Sequence, residues 1–84
     1  MQLTVTEKKV FDTVKDNMVA LIPTLDKNAI QITGRLVDYG CNSMDRSDIV
    51  WQTLDDLGLD IPVCEFTEVN NIHGLVKVLA SHVC

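Results

Sequence analysis

The sequence predicts an all-α fold: a small bundle of three main helices plus one short helix, with a long loop between the first and second. Three observations carry this. Apolar residues recur at three- and four-residue spacing in three separate stretches. Residues that start and stop helices bracket those stretches. The one alternating run, Ile30-Gln31-Ile32-Thr33, has no second strand to pair with. With 84 residues, the chain is expected to form one domain, residues 1–84, large enough for a core but too small to enclose a substrate cavity.

Thr4-Val5-Thr6-Glu7 has capping-box spacing, in which a hydroxyl and a carboxylate three residues on satisfy each other's backbone amides. Val10, Phe11, Val14, Met18, Leu21 and Ile22 then form an apolar face, and Pro23 stops the helix near Ile22. A first helix over about 5–22 follows. Residues 23–42 read as an ordered loop, laid over the helices by Leu25, Ile30, Ile32, Leu36 and Tyr39. A second helix runs from about Ser43, taken as its capping position, to Leu57, with Gly58 at its C-terminal stop. Its core side is Ile49, Val50, Thr53 and Leu57, with Leu54 between that side and the outer face. Pro62 opens a short third helix. Asn70 or Asn71 caps the last, whose apolar face is Ile72, Leu75, Val76, Leu79 and Val83.

Composition excludes several classes. The hydrophobic and charged fractions, 46% and 23%, are those of a folded globular chain. No apolar run reaches the roughly 18 residues of a membrane span, and the N-terminus has no signal-peptide core, so a soluble cytoplasmic protein is expected. Cys41, Cys64 and Cys84 are odd in number and form no CxxC pair; free thiols and no metal site are expected. His73 and His82 lack zinc-ligand spacing and read as surface or helix-end residues.

The net charge of −5 is localised. Residues 38–65 carry Asp38, Asp45, Asp48, Asp55, Asp56, Asp60 and Glu65 against Arg46 alone, while the flanking segments are close to neutral. Such a field repels nucleic acid and steers association with basic protein surfaces. At the head of this segment Ser43 sits where the second helix begins, beside the positive end of the helix dipole. That position suits a serine bearing a phosphate ester better than a nucleophile, because no oxyanion or general-base pattern accompanies it. Behind it Met44, Asp48, Trp51 and Asp55 recur at spacings of four, three and four, a stripe mixing acids with a large aromatic and so expected at the surface. Arg46 reads as a salt-bridge partner on its own helix or as a phosphate contact.

Gly40-Cys41-Asn42-Ser43-Met44-Asp45, the acidic helix behind it and Leu59-Asp60-Ile61-Pro62 resemble the acyl carrier proteins of fatty acid and polyketide synthesis over nearly the whole chain. The family's usual Asp-Ser-Leu becomes Asn42-Ser43-Met44 here. The resemblance implies an acyl-carrier-like bundle and a non-enzymatic protein with no catalytic residues. It also implies a covalent 4′-phosphopantetheine on Ser43 whose thiol carries acyl groups as thioesters. The docking surface it implies comprises Met44, Asp45, Asp48, Trp51, Asp55 and Asp56. A finer similarity, through residues 40–46, Leu59-x-Ile61-Pro62 and Asn71-Ile72-x-Gly74-Leu75-Val76, is to the discrete donor carriers of polyketide β-branching cassettes. It implies a freestanding monomer from Met1 to Cys84 that takes part in antibiotic biosynthesis. Its partners would be a phosphopantetheinyl transferase, an acyltransferase or ketosynthase-like decarboxylase, and a hydroxymethylglutaryl-synthase-like enzyme. The alternatives are a carrier for fatty acid, peptide or alanyl transfer and, from another class, a small helical adaptor without a prosthetic group.

Overall fold

A computed structural model describes residues 3–66, 69 and 71–83. Three α-helices, α1 (Val5–Leu21), α2 (Ser43–Leu57) and α3 (Ile72–Ser81), build the fold, with α1 packed against both others. Three 3₁₀ turns lie between them, at Lys27–Ala29, Leu36–Tyr39 and Val63–Phe66. No strand occurs among the described residues, as the sequence predicts.

Each main helix is bounded by the chemistry of its ends. Thr4 accepts a hydrogen bond from the Glu7 amide, and the Glu7 carboxylate accepts one from the Thr4 amide, which completes the expected box. Hydrogen bonds to the Glu7 carboxylate, from the Thr4 amide first and the Thr4 hydroxyl second, hold its pKa below the ordinary value. Gly58 ends α2 in the left-handed conformation, at φ 66°, that a residue with a Cβ adopts at a cost. Asn71, rather than Asn70, caps α3 by accepting from the Gly74 amide.

The core is one cluster in which Val10, Val14 and Met18 of α1 meet Ile49, Val50 and Leu54 of α2 and Ile72, Leu75, Val76 and Leu79 of α3. Three residues depart from the expected faces. Leu54 is buried in the core while Leu57 is only partly covered, because the 100° step per residue turns Leu54 inward beside Val50. Leu21, at the last turn of α1, stays 39% exposed although its spacing places it with Val14 and Met18. Val83 lies past the end of α3 and is half-buried. The short third helix is a single 3₁₀ turn after Pro62.

The long loop is ordered by the residues expected to order it. Ile30 and Leu36 are buried and Leu25, Ile32 and Tyr39 pack on the core. The Tyr39 hydroxyl accepts from the Gln31 amide at 2.8 Å, and the Gly34 carbonyl accepts from the Ile72 amide at 2.9 Å, tying the loop to the first residue of α3. Cys41 is a free, buried thiol; the other two cysteine side chains lie outside the described residues.

Candidate functional site

Gly40 closes the second 3₁₀ turn in the left-handed region, at φ 90°, and this reversal aims the chain at the start of α2. Cys41 anchors the approach from inside the core, 2% exposed, and its amide donates to the Leu36 carbonyl. Burial first, and the Asp45 charge second, push the Cys41 thiol above its ordinary pKa.

The capping residue of α2 is Asn42, which corrects the expectation that Ser43 caps. The Asn42 Oδ1 accepts from the Asp45 amide at 2.9 Å, and the Asp45 carboxylate accepts from the Asn42 amide at 3.1 Å. Asparagine and aspartate cap equally well, so the carboxamide gives this position the full backbone function of a cap. The signal was in the sequence: the acid three residues on belongs to Asn42, whereas Arg46 stands three after Ser43. Ser43 is thereby moved to the first helical position. Its side chain is exposed, and among the described residues no hydrogen bond engages its hydroxyl; its carbonyl accepts from the Ser47 hydroxyl. The serine stands at the positive end of a 15-residue helix.

Beside Ser43 runs a groove of about 500 Å³ between the loop, the head of α2 and the start of α3. Both of the chain's arginines line it, Arg35 on the loop and Arg46 on α2, with Asn42 and Asn71 as further polar groups. Its apolar floor includes Leu36 and Leu75. No salt bridge joins Arg46 to an acid of its own helix among the described residues, contrary to one of its two expected roles. Its guanidinium donates to the carbonyls of Phe66, at 2.5 Å, and Val69, at 2.8 Å, clamping the segment before α3 against α2. No sequence pattern announces a bond across 20 and 23 residues. Arg35 pairs loosely with Asp38 at 3.5 Å.

The stripe on α2 divides. Met44 is 77% exposed and Trp51 63%, so Trp51 stands outside the core as expected. Asp48 and Asp55 are exposed beside them, and no ion pair holds either among the described residues. Asp45 and Asp56 have local duties. Asp45 is the half-buried member of the capping box, while Asp56 accepts from Asn17 of α1 and from Gln52. Asn17 also donates to Thr53, the buried hydroxyl of the α1–α2 seam. On α1, by contrast, Asp12 and Asp16 share an ion pair with Lys27, whose pKa they raise.

His82 caps the C-terminus of α3 and lies 3.5 Å from Glu65. Among the described residues no His, Cys, Asp or Glu group of three or more is placed to hold a metal ion. No helix among them is long and apolar enough to cross a membrane.

The chain is 34% identical over 73 residues to the polyketide biosynthesis acyl-carrier-protein AcpK of Bacillus subtilis (strain 168), an alignment covering 87% of this chain and 89% of the relative. No protein-family model matches the chain, and no solved structure matches it.

Proposed function

The chain belongs to the acyl carrier protein family, and from that premise we propose that Ser43 is its attachment point for 4′-phosphopantetheine and that it delivers acyl groups to enzymes of polyketide synthesis. The observation that carries the reading is the position of Ser43: exposed, its hydroxyl without a hydrogen bond among the described residues, and first in α2 because Asn42 does the capping. When bound, the prosthetic group supplies a terminal thiol on which acyl groups travel as thioesters.

The residues present fit that group. A phosphodiester on Ser43 is favoured by the free amides and dipole at the head of α2. Arg35 and Arg46 line the adjoining groove, Arg46 with donors beyond the one nitrogen that holds the two carbonyls. Leu36, Val37 and Leu75 offer apolar surface alongside, and Asn71 a side-chain amide. Nothing in this set activates a nucleophile, so the chemistry belongs to partners and the chain's part is to hold and present. Met44, Trp51, Asp48 and Asp55 make the presenting surface acidic and apolar together, suited to brief, electrostatically steered encounters. Asp45 and Asp56 contribute charge at its edges while serving the fold.

Within polyketide synthesis, the similarity of residues 40–46 and of the stretches after α2 to β-branching donor carriers supports a donor role toward a hydroxymethylglutaryl-synthase-like enzyme. The relative's name supports the polyketide setting. Treatment with a phosphopantetheinyl transferase and coenzyme A should add the mass of one arm to the native chain and none to Ser43→Ala. A gain that survives Ser43→Ala, or no gain at all, overturns the attachment site. The donor role is tested by loading the arm with a short acyl group and adding the synthase-like enzyme with a β-ketoacyl acceptor carrier. Transfer should outpace that to a fatty acid ketosynthase; the reverse ranking places the chain in another pathway.

A further inference from the structure

α1 and α2 run antiparallel, since Asn17 reaches Thr53 and Asp56 while Ala20 and Leu21 lie beside Asp48, Ile49 and Gln52. The C-terminal end of α1 therefore lies next to the half of α2 that carries Ser43. Between the two helices at that end is a shallow cleft of about 200 Å³, lined by Asn17, Ala20, Leu21, Asp48, Ile49 and Gln52. The incompletely covered Leu21 forms one wall.

Asp48 belongs both to the rim of this cleft and to the exposed stripe with Met44 and Trp51, so the two surfaces are continuous. It also lies five residues from Ser43, about 7.5 Å along the helix axis. An enzyme that brings a reacting group to Ser43 from the α2 side covers this ground. The charge of the region names the chemistry opposite: residues 38–65 are strongly acidic, and Asp48 has no cationic partner among the described residues.

Resting on the reading of Ser43 as the attachment point, we propose that the α1–α2 cleft is a second docking element for the transferase that modifies Ser43. It receives an apolar side chain of that enzyme between Leu21 and Ala20, while a neighbouring lysine or arginine pairs with Asp48. The recognition surface then extends across two helices.

The test is the rate of arm transfer from coenzyme A by a purified phosphopantetheinyl transferase, followed by intact mass at varied carrier concentration. Leu21→Glu should raise the apparent KM for the carrier roughly tenfold with kcat little changed, the scale of losing one buried interface anchor. Ala20→Phe, which fills the cleft without removing any side chain from it, should do the same. Val5→Glu, a charge at the exposed far end of α1, should leave KM unchanged. KM values within twofold of native for both cleft variants, with Asp48→Lys still impaired, confine docking to α2 and overturn the proposal. Absence of any mass gain on the native chain, or a gain on Ser43→Ala, instead defeats the attachment-site reading and the proposal with it.

Discussion

At the start of α1 the capping side chain is Thr4 and the next residue is Val5; at the start of α2 the cap is Asn42 and the next is Ser43. Both ends close the same reciprocal pair of hydrogen bonds, to Glu7 in one and Asp45 in the other. In α1 the hydroxyl is consumed by the fold and an inert valine stands exposed behind it. In α2 a carboxamide takes over the capping, and the hydroxyl one place later is left over. A hydroxyl at a helix start is thus structural or available according to whether its predecessor caps. The surrounding charge differs as well: Asp12 and Asp16 of α1 are paired with Lys27, whereas Asp48 and Asp55 on α2 meet solvent unpaired among the described residues.

The largest effect that bears on this contrast lies on the inner side of α2. Ile49→Ala empties a fully packed position and should cost about 2–5 kcal/mol in denaturant unfolding. A loss below 1 kcal/mol would mean that α2 is held by its caps rather than by its buried face. Next comes the cap itself. Asn42→Ala should cost about 1 kcal/mol, as should Thr4→Ala, while Asn42→Asp should stay within a few tenths. If Asn42→Asp lost as much as Asn42→Ala, the capping account of this position would fail.

Residues 41 and 43 sharpen the contrast further, because two potential nucleophiles two places apart meet opposite environments. Cys41 keeps its proton in the folded chain: its pKa is raised above the ordinary 9.0, so folding is favoured by this group below that value and the contribution is lost as pH rises through the folded pKa. Iodoacetamide at pH 8 should therefore label Cys41 at least roughly tenfold more slowly in the native than in the denatured chain, resolved by peptide mass. Equal rates would show the thiol to be accessible. Smallest of all, Trp51→Ala should change stability by no more than about 0.5 kcal/mol, the range of ordinary surface substitutions, while slowing partner turnover. A loss near that of Ile49→Ala would return Trp51 to the core.

Much of this was readable in the residues. The box at Thr4 and Glu7, the stop at Gly58, the apolar faces of all three helices and the exposed stripe through Trp51 follow from spacing alone, because they are decided by neighbours within a turn or two. What escaped has a common cause. Leu54 and Leu21 sit at the margins of their apolar faces, where a few tens of degrees of helix rotation decide burial and only the packing partner sets the rotation. Arg46 reaches carbonyls beyond the end of its helix, a contact with no local signature. The identity of the cap was a contest between two good capping residues, Asn42 and Ser43, which the acid at Asp45 decides.

The bond from the Ile72 amide to the Gly34 carbonyl has a kinetic meaning. As the first residue of α3, Ile72 has no acceptor within its own helix, so protection of that one amide from solvent deuterium depends wholly on the loop. Its exchange reports on any parting of loop and helix, including partings in which α3 keeps its own ladder intact. The loop that leads into Ser43 and the helix that floors the groove are joined at this bond, and a single amide reads their separation.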